Sequence, residues 1–428
     1  MARSLLDKLK SLEQSVRART VPEEPMPATS VNQFAQSPVS GAQSLLLAGF
    51  EQVDTPYGAC WRRQTAIDLL TRHGERVFAE ILNADFAVLA NLVGTTFSVS
   101  QLRFYDVETN GLGTGAGTFP FLHTIGSVQA DELCLTQFLV DDYDAEAAVL
   151  FSLGEEHLQD DTVIVTFNGK SFDWPLLQNR RLLHRLPPLQ RPQLDLLHPS
   201  RRLWRHQLSR VTLANVESHV LGFQRVNDLP GSEAPTRYFR YLETKDVDEI
   251  APVLQHNAMD VCSLVVLQVV ITCLLNGETV PTSAATHVAL ASWYDAWDNV
   301  QAAGAAYQNA VAAADADWHA HFKYGLFLKR HADAAEAADW WRIAAERFPK
   351  HVEPLVELAK CYEHRLRLLS EAEMAVEEAL RRIVNTTNSL LLPHRVGVSL
   401  EGPPDSPLEA ALKHRLHRIK QKQARQSH

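Results

Sequence analysis

The chain has 428 residues, 46% hydrophobic and 21% charged, enough for two or three soluble domains with real cores. Its net charge of −10 excludes an overall basic field, so any affinity for phosphate must come from local patches of Lys and Arg. Cys60, Cys134, Cys262, Cys273 and Cys361 are odd in number, scattered and without a C-x-x-C pair. That argues against a disulfide framework or a zinc cluster and fits reduced thiols in a cytoplasm.

The N-terminus has Leu5, Leu6, Leu9, Leu12 and Val16 at helical spacing but no apolar core of signal-peptide length. A short amphipathic helix is expected, either solvated or resting on a partner or a membrane surface. Residues 21–45 are rich in Pro, Ser, Ala and Gln, and the whole segment 1–45 is predicted to be disordered. Residues 46–99 regain apolar character and are expected to pack as an extension on the domain that follows. Within them Thr65–Leu82 reads as helix or mixed structure.

Strand patterns begin near residue 100. LRFYDV (102–107) precedes a Gly-rich turn, and FLHTIGSV (121–128) and LCLTQFLV (133–140) form an expected hairpin. DAEAAVLFSLGEEH (144–157) has helical periodicity. TVIVTF (162–167) is a continuous apolar run, as in a strand covered on both faces. SFDWPLLQNRRLL (171–183) reads as a helix with Pro175 in its first turn, and QLDLL (193–197) as a short strand. VCSLVVLQVVITCLL (261–275) falls short of the roughly 20 residues of a membrane span and reads as a buried core helix. A soluble protein with no membrane partner is expected. This order gives an α/β domain over 100–278, a mixed sheet flanked by helices.

Beyond it the chain repeats with a period of 34. Leu290, Tyr324 and Leu358 share that spacing, as do Gly304, Ala338 and Ala372, and Tyr307 and Trp341. The period is that of tetratricopeptide repeats, so 284–384 is predicted to be an all-α array of stacked hairpins. Trp293, Trp340 and Trp341 are expected in the hairpin cores. Residues 385–428 form a basic tail; its last 19 residues hold six Lys or Arg and no acid.

Two other signals stand out. GLGTGA (111–116) matches a dinucleotide fingerprint, but Phe119-Pro120 and a strand follow where a helix is required, so a loop is expected instead. Residues 178–212 carry eight arginines, one acid and Trp204. They form either a strip for nucleic acid, with Trp204 stacking a base, or a solvated helix face over a buried Trp204.

Carboxylates carry the chemistry. Asp106 and Glu108 lie two apart at a strand end and point to one face of the sheet. Side by side they repel, and a hard divalent cation such as Mg²⁺ or Mn²⁺ relieves the repulsion. Asp173 follows the strand 162–167 just where a helix begins; alone it could simply favour that helix N-terminus. His256 and Asp260 are one turn apart on a helix, and Asp260 heads an apolar run where an unpaired charge is costly.

Taken together, FYDVETNGLGTGAGTFPFL, TFNGKSFDWPLL, QLDLLHPSRRLW and LQHNAMDVCSL, across about 100–275, resemble the ordered pattern of the DEDD exonucleases. The resemblance is closer to the bacterial ribonuclease H-like family of the YprB type, which is also seen with C-terminal tetratricopeptide-like repeats. It implies that Asp106, Glu108, Asp173 and Asp260 hold two Mg²⁺ or Mn²⁺ ions about 4 Å apart. Such ions activate water and stabilise the leaving 3′-oxygen of a phosphodiester. It implies that His256 orients or deprotonates the water. His256 stands four residues before Asp260, the spacing at which the tyrosine subgroup carries Tyr, whereas the histidine subgroup has its His at five. Asn168, Lys170 and Asp195 are the expected substrate-binding residues, the first two at substrate phosphate and Asp195 as an additional, outer acid. The implied activity is 3′–5′ exonuclease action on single-stranded DNA or RNA, with the repeats recruiting a protein partner or positioning substrate. A catalytically silent nucleic-acid-binding scaffold is the alternative.

Overall fold

In a computed structural model, residues 41–111, 117–226, 228–390 and 406–426 are described, the side chains of 386–390 excepted. The N-terminal amphipathic segment, most of the 21–45 linker and nearly all of GLGTGA lie outside the described residues.

Helix α1 (Gly41–Leu47) leads into β1 (Glu51–Thr55) and β2 (Gly58–Asp68). A two-residue pair, β3 (Arg72–His73) and β4 (Arg76–Val77), and a short helix α2 (Ala90–Val93) follow. Next come β5 (Leu102–Thr109), β6 (Pro120–Gln129), β7 (Glu132–Leu139), α3 (Glu146–His157), β8 (Val163–Thr166), α4 (Asp173–Leu183), β9 (Gln193–Asp195) and α5 (Leu197–Trp204). The stretch α6 (Leu213–Val216), α7 (Ala234–Thr244) and α8 (Val247–Leu275) completes the first part.

Seven strands form one sheet in the order β1-β2-β7-β6-β5-β8-β9. β5, β6, β7 and β2 run antiparallel in turn, whereas β8 lies parallel to β5, with Phe104 opposite Val165, and β9 lies parallel to β8. The central parallel strands therefore end at the same edge. The stretch Thr65–Leu82, expected as helix or mixed structure, is mixed: Thr65–Asp68 close β2, the pair β3 and β4 follows, and Phe78–Leu82 is a 3-10 turn. Pairing with β7, from Trp61 opposite Leu139 to Asp68 opposite Glu132, sets the strand part.

Strand alternation splits β5 between two cores. Leu102 and Phe104 pack with Val261, Leu264 and Val265 of α8, while Tyr105 and Val107 face Val149 and Leu153 of α3 and Leu177 of α4. The apolar run 261–275 is the buried half of the 29-residue helix α8. It lies so close to the sheet that a Cβ on Gly126 would stand 2.8 Å from Val261.

The remaining helices are α9 (Ala284–Ala296), α10 (Val300–Ala312), α11 (Trp318–His331), α12 (Ala334–Arg347), α13 (Glu353–Cys361), α14 (Leu369–Leu390) and α15 (Pro407–Gln426). Leu290, Tyr324 and Leu358 are buried on α9, α11 and α13. A Cβ on Gly325 would meet the Trp341 ring at 2.6 Å, so the small and large residues are matched in space. Trp293 and Trp341 are buried and Trp340 partly so, as core residues. The first hairpin docks on the sheet domain: Gln207 donates to Thr286, and Tyr294 Oη lies 2.8 Å from the Leu275 carbonyl.

The basic C-terminal segment is not a solvated tail. Residues 407–426 form α15, whose Leu412 and Ile419 pack with Ala372, Val376 and Ala379 of α14. Its Arg415, Arg418 and Lys422 surround Glu363 at 2.5, 2.8 and 2.7 Å. All five cysteines are free.

Candidate metal centre

The ends of β5 and β8 and the first half of α8 meet at one edge of the sheet. Asp106 and Glu108 lie on the face of β5 that carries Leu102 and Phe104, and that face looks at α8. The chain leaves β8 through a turn in which Asn168 has φ +74°, and Asp173 then opens α4 with its side chain buried. His256 and Asp260 come from α8, one turn apart.

Ligand atoms of Glu108, His256 and Asp260 all lie within 4.8 Å of one another. His256 Nε2 is 3.9 Å from Glu108 Oε1 and 3.6 Å from Asp260 Oδ2. Asp106 and Asp173 stand outside that trio, yet their charges act on it. Burial, then Asp260, Asp173 and Glu108, push the Asp106 carboxyl well above its ordinary range. Burial, then Asp260 and Asp173, push Glu108 up to about 8. Burial, then Asp195 and Asp260, push Asp173 up to about 7. Burial also raises Asp260, although Arg225 and His256 oppose it. Four carboxylates thus crowd one partly buried space that cannot hold them all ionised without added positive charge. Clustered oxygen ligands with one imidazole suit a hard divalent cation, so the residues present fit Mg²⁺ or Mn²⁺.

Several neighbours hold this arrangement. Asn257 Nδ2 donates to Asp106 Oδ2 at 2.5 Å. Arg225 donates to Asp260, and its Nε and Nη2 reach the two oxygens of Glu217 at 2.8 and 2.5 Å. Glu217 also accepts from Ser263, which is 2.8 Å from His73. Asp228 Oδ1 lies 2.8 Å from His256 Nδ1, leaving Nε2 turned to the carboxylates. Asn257 was legible in principle, three residues before Asp260 on the same helix face. Arg225 and Asp228 sit in an irregular segment after Gly222 that carries no periodic signal.

Three expected substrate contacts divide. Asn168 and Lys170 are exposed at the turn beside Asp173. Asp195 is buried and occupied: it accepts from the backbone amides of Asn168, Lys170 and Leu197 at 2.8, 3.2 and 3.0 Å. Its place is to fix the turn, with both oxygens engaged by backbone amides. Trp204 is likewise buried in the core, so it does not stack a base.

The fold and this edge define a ribonuclease H-like protein, and the family profile described as RNase_H superfamily matches residues 103–272. The chain belongs to this family, whose members are commonly divalent-metal-dependent nucleases that bind nucleic acid. It is similar to the uncharacterized protein YprB of Bacillus subtilis (strain 168), at 32% identity over 335 residues, covering 75% of this chain and 80% of that protein.

Proposed function

We propose that this protein is a 3′–5′ exonuclease of the DEDD type acting on single-stranded nucleic acid in the cytoplasm. In this reading 100–278 is the catalytic domain and 284–384 a tetratricopeptide-like array that positions substrate or a protein partner. The observation that carries it is the crowding of Asp106, Glu108, Asp173 and Asp260: burial raises all four, and the charge of Asp260 adds to the rise of the other three.

Asp106, Glu108, Asp173 and Asp260 would hold two divalent ions, which neutralise the charge that builds up on a phosphodiester under attack. His256 has its Nδ1 held by Asp228, so Nε2 is the atom available to accept the proton of the attacking water. The one-turn spacing from Asp260 keeps that nitrogen among the carboxylates. Lys170, exposed at the turn beside Asp173, would meet a phosphate oxygen.

The test incubates the full chain and Asp173→Asn with 5′-labelled single- and double-stranded DNA and RNA in Mn²⁺. A ladder shortening from the 3′ end, lost in the variant and with EDTA, is expected. A ladder that persists in Asp173→Asn refutes the assignment. Metal-dependent melting without any cleavage would favour the silent scaffold.

A further inference from the structure

The eight arginines of 178–212 do not act as one strip. Arg180 pairs with Glu146, Arg181 is buried against backbone carbonyls of Leu150 and Pro187, and Arg191 pairs with Asp160. Arg201, Arg202 and Arg205 on α5 do something different. They face the first repeat helices across a cleft of about 540 Å³, to which α11 adds His319 and Lys323 and α5 adds His198. No carboxylate lines this cleft. Among the described residues none of these three arginines, nor Lys323, has a carboxylate ion-pair partner. The acid nearest His319 in its electrostatic surroundings, Asp317, caps α11 through the Ala320 amide.

Four cations without a carboxylate ion pair among the described residues, held in one concavity on a chain of net charge −10, repel one another. Such a cluster is complementary to a polyanion. A second cleft of about 270 Å³ shares His198 and Arg202 with the first and extends to Lys170 and Asp195. The two clefts therefore run from Lys170, at the turn beside Asp173, to the repeats, with Asp195 the one carboxylate along the second. The indole beneath it, Trp293, is buried and covered by the Arg202 guanidinium at 4.5 Å, so it offers no open face to a base. The feature this lining offers most of is positive charge, which suits a phosphate backbone.

We propose that the junction between α5 and the repeat helices is a second nucleic-acid site, which grips the sugar–phosphate backbone of the strand whose end lies at the carboxylates. The identity of the anion as nucleic acid rests on the nuclease reading; the site itself does not depend on catalysis. Contacts of this kind are independent of sequence and steep in salt.

The test measures fluorescence anisotropy of a 5′-labelled 20-nucleotide oligothymidylate or oligouridylate with the full chain in EDTA, between about 50 and 200 mM salt. The triple variant R201E/R205E/K323E should bind at least tenfold more weakly at about 100 mM salt. The slope of log affinity against log salt should fall by about 2, the amount expected for three lost contacts to a single strand. The neutral variant R201Q/R205Q/K323Q, which removes the charge and keeps polar side chains, should lose the same slope, and R342Q, on the exposed face of α12 away from the cleft, should lose none of it. Unchanged affinity and slope in both triple variants, with wild-type melting temperature, would overturn the proposal. So would inorganic pyrophosphate competing as well as the oligonucleotide, since the cluster would then serve a small anion. Binding that depends on the cluster, in a protein that cleaves nothing with Mn²⁺, upholds this site and sinks the nuclease reading alone.

Discussion

The side-chain amide of Asn257 donates to Asp106, tying the helix that supplies Asp260 directly to the strand that supplies Asp106 and Glu108. Asn257 is fully buried, and His256 Nε2 approaches Glu108 Oε1 at 3.9 Å across the same two elements. Asn257→Ala should cost about 1–3 kcal/mol in EDTA, the usual penalty for stranding a buried group that was hydrogen bonded to a charge. Urea unfolding followed by circular dichroism measures it. Asn257→Asp should be worse without cations and partly rescued by Mn²⁺, because a fifth carboxylate adds repulsion that a cation removes. Equal stability of the two variants in EDTA would contradict this account.

Arg225 is the one guanidinium that faces Glu217, Asp228 and Asp260 together. Removing it leaves two largely buried carboxylates without a partner, so Arg225→Met should destabilise by about 3–5 kcal/mol. Arg225→Lys should recover little, since a single ammonium cannot reproduce the paired donors on Glu217. Thermal denaturation of the two variants at pH 7 decides between a charge role, which Lys would rescue, and a geometric one.

The raised carboxylates set a sign for pH. Glu108 ionises near 8 in the fold against an ordinary value of 4.5, so between those limits the folded chain holds protons that the unfolded chain has lost. Stability without cations should therefore fall as pH rises from about 4.5 to about 8. Mn²⁺ binds the ionised form, so its stabilising effect should be small at pH 5 and large at pH 8. Melting curves with and without Mn²⁺ across that range test it. An effect independent of pH, or one that survives in Asp106→Asn, would remove the carboxylates from the explanation.

Glu363 shows the opposite sign. Burial opposes its charge, but hydrogen bonds from Arg418 and Lys422 and the neighbouring cations hold its carboxyl down at about 2. The attachment of α15 should thus be complete above the ordinary glutamate value and weaken as pH falls towards 2. At neutral pH, Glu363→Gln should expose the Lys and Arg residues of α15 to trypsin at least tenfold faster, with the sheet domain still resistant. A digestion pattern matching wild type would show that Leu412 and Ile419 hold the helix unaided.

The strands and long helices were readable because their apolar spacing is set by burial on one or two faces: β5 alternates and 261–275 does not. The carboxylates were readable as an ordered set, since Asp106, Glu108, Asp173 and Asp260 fall at strand ends and helix starts. Convergence itself was not readable, for it depends on β8 pairing with β5 rather than with another strand. Neither was the support of Arg225, which reaches Asp260 from an irregular segment. Asp195 shows the limit from the other side: its residue type suggested a contact with substrate, whereas backbone amides consume both its oxygens. The arginine-rich stretch likewise hid two populations, one neutralised inside the sheet domain and one left bare at the junction.

Helix α8 carries His256 and Asp260 near its middle and delivers the chain to the repeats at its C-terminal end, where Tyr294 is fastened to its last carbonyl. At about 1.5 Å per residue the stretch from Asp260 to Leu275 is a shaft of about 22 Å, stiffened by the core around it. Whatever the repeats hold is thereby kept at a set offset and bearing from the reactive edge, as by the jaw of a caliper. Dependence of turnover on oligomer length should accordingly show a step at the length that first spans both jaws, in place of a gradual rise.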